Sequence, residues 1–164
     1  AVQLKWPNDL LLGQAKLGGI LVEASSQPDG PLQVVIGVGL NVGPALESAL
    51  MPAVAVGDAR PAMPRASLRA GDSAQPARLE VLQLVLQALS LMLPQFAQSG
   101  FAPMWPIWQT LDAFRDHAVT LRDAAGCSVQ GVSRGVDVQG ALLLDTARGR
   151  QALVAGELSL RAAP

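Results

Sequence analysis

Apolar residues dominate positions 76–94, and after Arg78 the polar ones fall at Glu80, Gln83, Gln87 and Ser90. That narrow stripe at helical spacing predicts a helix, and its apolar remainder predicts that it is mostly buried, against a sheet. A second helix is expected across 101–114, starting near Pro103 and carrying Trp105, Trp108 and Leu111 as a core-facing stripe. Upstream, 2–6, 17–24 and 32–42 read as strands, parted by turn signals at Pro7-Asn8-Asp9 and Pro28-Asp29-Gly30. The second and third of these are apolar on both faces, which suits a sheet covered by helices. Positions 44–75 are interrupted by Pro44, Pro52, Pro61 and Pro64 and read as a surface connection with at most one short helix.

After Arg115-Asp116 the texture changes. Short apolar runs at 119–121, 128–133, 141–145 and 157–160 are separated by Ala125-Gly126, Gly135-Val136-Asp137, Gln139-Gly140 and Gly149. Close spacing with glycine turns predicts a small β-barrel of SH3 type. The expected fold is therefore α+β, with a sheet-and-helix part at 1–115 and a barrel at 116–164.

Composition narrows the function classes. The chain has 164 residues, 50% hydrophobic and 15% charged, which suits one or two globular domains and not disorder. Net charge is −1 without a basic block, which argues against nucleic-acid binding. No apolar run reads as membrane-spanning, since 79–93 is broken by polar residues, and no secretory leader is legible. The single Cys127 excludes an internal disulfide and a multi-cysteine zinc site, and fits a reducing, cytoplasmic setting. The single His117 argues against a histidine-based metal site or triad; it reads as a domain-junction residue, and Cys127 as a small buried or turn residue. Ala1 leads straight into a strand without an initiator Met, so a fragment or processed product is expected.

Candidate chemistry concentrates in one segment. Only two lysines occur against ten arginines, and Lys5 and Lys16 lie close together. An ammonium on a flexible stem can follow a phosphate through a reaction better than a rigid guanidinium fork. Gly18, Gly19, Gly37 and Gly39 supply nearby backbone without side-chain bulk.

The run Lys5-Trp6-Pro7-Asn8-Asp9, then Lys16-Leu17-Gly18-Gly19-Ile20-Leu21, then Gly37-Val38-Gly39-Leu40-Asn41-Val42, resembles the biotin–protein ligases. The stretch Gly131-Val132-Ser133-Arg134-Gly135-Val136-Asp137, with Gly140 to Leu144 and Gly156-Glu157-Leu158-Ser159-Leu160-Arg161, is similar to that family's small C-terminal domain. The resemblance implies the C-terminal part of a class II synthetase-like catalytic domain followed by the SH3-like domain. The family's Arg/Gly-rich loop and its upstream ureido-binding residues have no counterpart here, so the chain is expected to hold only part of the site.

That resemblance also implies a reaction. Biotin's carboxylate attacks the α-phosphate of Mg·ATP to give biotinyl-AMP, and a lysine of a biotin carboxyl carrier domain then takes the biotinyl group. Lys16 would neutralise charge between carboxylate and phosphate. Asn8 and Asp9 would position phosphate and Mg²⁺, or Asp9 would help deprotonate the carrier lysine, whose ordinary pKa is about 10.4. A plain turn-forming pair is the other reading of these two residues. Gly18, Gly19, Leu21, Gly37 and Gly39 would wall biotin, and Asn41 would reach the adenine by donating and accepting on one base edge. Lys5 would flank the site, with Trp6 and Pro7 as scaffold. Arg134 would approach the nucleotide or serve as a surface arginine. Family members often pair through their sheets, which makes a homodimer an option that no residue here predicts. A lipoate–protein ligase, and a non-catalytic module for carrier docking or dimerisation, are the competing readings.

Overall fold

A computed structural model of the chain describes residues 1–26, 30–43, 63–68, 78–122, 128–154 and 159–162. The strands are β1 (Val2–Lys5), β2 (Asp9–Leu12), β3 (Ala15–Ser25), β4 (Gln33–Leu40), β5 (Ala118–Arg122), β6 (Ser128–Val136), β7 (Leu142–Thr146), β8 (Gly149–Leu153) and β9 (Ser159–Ala162). The helices are α1 (Arg78–Ser99) and α2 (Trp105–Leu111). The content is α+β, as expected. Two compact units result, one of 1–2 with 8–78 and the other of 3–7 with 79–164. The turn expected at Pro28-Asp29-Gly30 lies mostly outside the described residues, as do most of 44–75, Cys127 and the start of the last expected strand.

In the first unit, β2, β3 and β4 are consecutive antiparallel neighbours. The β2–β3 hairpin turns on Gly13-Gln14, with Gly13 at φ 60, the region only glycine enters without strain. The sequence hid β2, because Asn8-Asp9 read as a turn leading nowhere. Leu11 and Leu17 are buried, whereas Leu21, Val22, Val34 and Val35 are exposed. The covered sheet expected over this stretch is therefore absent at those positions.

In the second unit, the sheet runs β8-β7-β6-β5-β9, antiparallel throughout. Its core gathers Val119, Leu121, Val136, Leu142 and Leu144 around Trp6, whose indole Nε1 donates to the Gly140 carbonyl at 3.2 Å. Trp105 and Trp108 pack against that core, as a core-facing stripe should. Trp105 Nε1 and Gln109 Nε2 both donate to the Val136 carbonyl, at 2.6 and 2.7 Å, fixing α2 to β6. Gly135 sits at φ 80 against the Gln109 amide, where a β-carbon would overlap Gln109 Oε1.

Both helices differ from expectation. α2 begins only at Trp105, with Pro106 in its first turn where a missing N–H costs nothing. It stops at Leu111 because Asp112 is extended and forms a parallel bridge with Leu4. α1 runs past Pro94 to Ser99, ending where Gly100 turns left-handed at φ 64 and its N–H bonds Phe96 O at 2.8 Å. No residue of α1 is buried, against the expected burial, and Leu79, Leu84 and Leu91 are all more than 60% exposed. Periodicity reports an apolar helix but not what covers it. At 22 residues α1 is also long and apolar enough to cross a membrane by length and composition, contrary to the reading of 79–93, although a core helix meets the same test.

Candidate functional site

The register of the first sheet builds the site. Asp9 pairs with Gly19 and Gly19 with Gly39, so these three form one row across β2, β3 and β4. Leu21 opposes Gly37 one step along the same face. Ile20 N–H donates to the Asn8 carbonyl at 2.8 Å, holding the start of β2 against β3.

Lys16 should point away from this row, being three residues from Gly19 in a strand of period two. A register shift prevents that: Leu10 pairs with Gly18, but Leu11 pairs with Lys16. The extra residue on β3 is a β-bulge, which re-aims the side chain beside it. Lys16 Nζ consequently lies 2.5 Å from Asp9 Oδ1, with the lysine side chain 44% exposed and the aspartate 15%. A β-carbon on Gly19 would stand 3.4 Å from Asp9 Oδ1 and 3.7 Å from Lys16 Nζ, so bare backbone floors the ion pair.

The glycines divide by what surrounds them. A β-carbon on Gly18 would overlap the Gly39 carbonyl oxygen, so Gly18 lets β3 and β4 approach. Its wall-lining reading has this packing reason beside it. At Gly37 and Gly39 the nearest atoms to such a carbon would be 3.7 and 3.8 Å away, so those positions leave space above the sheet.

Asn41 is used differently from the expected base contact. Its Nδ2 donates to the carbonyls of Lys16 at 3.1 Å and Ala66 at 2.9 Å. With both amide hydrogens engaged, donating and accepting on one base edge is closed to it, and only acceptance through Oδ1 remains. Sequence reasoning missed Ala66 and Ser67, because residues 63–68 carry no periodic signal within a proline-rich stretch.

Lys5 and Arg134 belong to the second unit. Lys5 is buried on β1, only 7% exposed. Arg134 on β6 donates from Nη1 to Asp116 Oδ1 at 2.7 Å and from Nε to Asp145 Oδ2 at 2.9 Å. Asp145 also pairs with Arg150 at 2.6 Å, and Arg150 first, then Arg134, holds its carboxyl far below the usual range. Arg134 is thus engaged by two carboxylates of its own unit. His117 donates from Nδ1 to the Arg115 carbonyl at 2.8 Å, a local contact just before β5.

For Mg²⁺ the described residues offer little of their own. Among the described residues no three His, Cys, Asp or Glu side chains gather as ligands. Asp9 is one carboxylate already facing an ammonium, so phosphate oxygens and water would have to supply most of an octahedral shell there.

Two family models match the chain: the Biotin/lipoate A/B protein ligase family over residues 1–41, and the Biotin protein ligase C terminal domain over 117–161. By sequence and fold, the chain belongs with the biotin protein ligases. The bifunctional ligase/repressor BirA of Escherichia coli is 34% identical over 165 residues, covering 99% of this chain and 47% of BirA. A biotin–[acetyl-CoA-carboxylase] ligase of Paracoccus denitrificans is 32% identical, over 94% of this chain and 61% of that protein. The chain spans about half the length of the curated relatives it matches. A biotin protein ligase from Aquifex aeolicus, solved with biotin and ATP, superposes with a TM-score of 0.75 at 25% identity, over 99% of this chain and 62% of that one. The family's first model covers the row from Asp9 through Lys16 and Gly19 to Gly39, and its second covers Arg134.

Proposed function

We propose that this chain carries the adenylate-forming side of a biotin–protein ligase site. The observation that carries the reading is the Lys16–Asp9 pair, set at 2.5 Å over the bare backbone of Gly19. In the first step a biotin carboxylate oxygen bonds the α-phosphorus of ATP and pyrophosphate leaves. Both partners are anions, and an ammonium held beside their meeting point lowers that barrier. Mg²⁺, arriving with the nucleotide, would supply further charge neutralisation. In the second step a carrier lysine amine bonds the acyl carbon, AMP leaves, and the amine loses a proton.

Asp9 orients the Lys16 ammonium and leaves with it the charge that phosphate must meet. Gly37 and Gly39 leave room for a flat ring against the strands, with Leu21 as an exposed apolar contact. Asn8 stands beside Asp9 at the start of β2, on the phosphate side of this reading. A nucleotide contact by Arg134 rests on the family likeness alone. The division at about residue 116 is supported by the second family model, which begins at 117. A biotin carboxyl carrier domain as partner, a cytoplasmic setting and a homodimer are part of the same proposal.

Lipoate chemistry shares the first family model's description, but the C-terminal model is specific to biotin ligases. Biotin-dependent exchange of pyrophosphate into ATP tests the reading. Exchange with biotin, lost in Lys16→Ala, supports it; exchange with lipoate in preference to biotin moves the chain to the other acid.

A further inference from the structure

The bulge that aims Lys16 has its own clamp. Residues 63–68 run beside the start of β3 in parallel, bridging Arg65 to Lys16 and Leu68 to Val42. They take over where β4 has ended, opposite Gly18 at Leu40. Lys16 N–H donates to the Pro64 carbonyl at 2.7 Å, and the Ala66 N–H donates to the Lys16 carbonyl at 2.9 Å. Asn41 adds a second donor to that same carbonyl and a donor to Ala66 O, while its own N–H bonds Leu17 O at 2.9 Å. Ser67 Oγ donates to Gly43 O at 2.6 Å, tying the far end of the segment.

We propose that Asn41 and the 63–68 segment are positioning elements for Lys16, which hold the β3 bulge in the phase that puts the Lys16 ammonium beside Asp9. The inference rests on the adenylate-forming reading for its purpose, but its geometry is independent of any ligand. A bulge is a one-residue register choice, and a slip would carry Lys16 to the opposite face of the sheet. The Lys16 backbone is bonded on its outer side at both N–H and C=O, and Asn41 links strand and segment through one amide. Asn41 therefore acts through Lys16 rather than on a substrate.

The test uses the chain without ligands. Trace acylation with acetic anhydride, read by peptide mass spectrometry, is clean because Lys5 and Lys16 are the only lysines. Asp9→Asn sets the response of a released ammonium. In Asn41→Ala the Lys16 labelling rate should rise about two- to five-fold, the range a partly exposed ion pair allows, with Lys5 unchanged. Amide hydrogen exchange should quicken at Lys16 and Ala66 but not at Ile20, which bonds Asn8. Ser67→Ala, a milder change at the far end of the segment, should shift the same signals less, and it serves if Asn41→Ala fails to fold. Unchanged Lys16 labelling and exchange in a folded Asn41→Ala protein would overturn the clamp. Pyrophosphate exchange is measured on the same proteins, where a fall in kcat larger than any rise in KM for ATP is expected. Absence of exchange in the unsubstituted chain would count against the proposed function, while the ligand-free labelling still decides the clamp.

Discussion

Lys16 and Asp9 meet at 2.5 Å although a regular strand would turn Lys16 away from the Asp9–Gly19 row. The bulge at Leu17 makes the meeting, and the proposed adenylate chemistry depends on it. Lys16→Ala should lower adenylate formation by about 10²- to 10³-fold, the usual cost of a lost charge-stabilising group. Lys16→Arg should recover little of this, because the planar fork cannot reproduce a mobile ammonium between Asp9 and phosphate. Pyrophosphate exchange rates at saturating ATP measure both.

Two glycines separate close packing from the space proposed for biotin. Gly18→Ala drives a methyl into the Gly39 carbonyl and should destabilise the first unit by about 2–3 kcal/mol, as overpacking does. Gly39→Ala meets nothing nearer than 3.8 Å and should leave the melting temperature nearly unchanged. The same methyl should weaken biotin binding by about tenfold, or about 1.4 kcal/mol. Thermal melts beside biotin titrations distinguish the two effects.

Trp6 lies inside the conspicuous Lys-Trp-Pro-Asn-Asp run, yet it is 3% exposed and sits in the second unit's core. Trp6→Ala should cost about 3–5 kcal/mol of stability. Trp6→Phe keeps most of the apolar contact and loses the bond to Gly140 O, so about 1 kcal/mol is expected. Urea midpoints with unchanged slopes would check the pair.

Two aspartates give opposite pH responses. Burial pushes the Asp112 carboxyl above its ordinary value, and the Phe114 N–H offsets this only in part. The folded state thus binds that proton more tightly than the unfolded chain, and stability from this group falls as pH rises from about 3.9 through the raised value. Asp112→Asn should therefore be more stable than the parent at pH 7, with the difference shrinking in acid. Asp145 is depressed, so its contribution is present above the unfolded value and lost as pH falls below it. Asp145→Asn should be less stable at pH 7, and the gap should close toward pH 2. Denaturant midpoints across this range measure both signs.

Much of the fold was legible, and the misses have physical causes. β3, β4, α1 and most strands of the second sheet announce themselves through apolar runs between glycines. β8, Gly149-Arg150-Gln151-Ala152-Leu153, was missed because its residues carry little strand preference and its pairing with β7 decides its state. Lys16, Asp9 and the glycines were legible as types in one segment, but the bulge that joins them was not, since an extra residue leaves no mark on an apolar pattern. Asn41 was visible as a polar residue at a strand end, and its partner Ala66 lies 25 positions away in a stretch without a pattern. Exposure of α1 was also beyond the sequence, because an apolar helix does not state what covers it.

The most direct test of the account is the intact mass of an apo biotin carboxyl carrier domain after incubation with this chain, biotin and Mg·ATP. The carrier should gain one biotinyl group, more slowly than with the Paracoccus denitrificans ligase, and Lys16→Ala should abolish the gain. A folded chain that leaves unmodified a carrier which that ligase fully modifies under the same conditions would contradict the account.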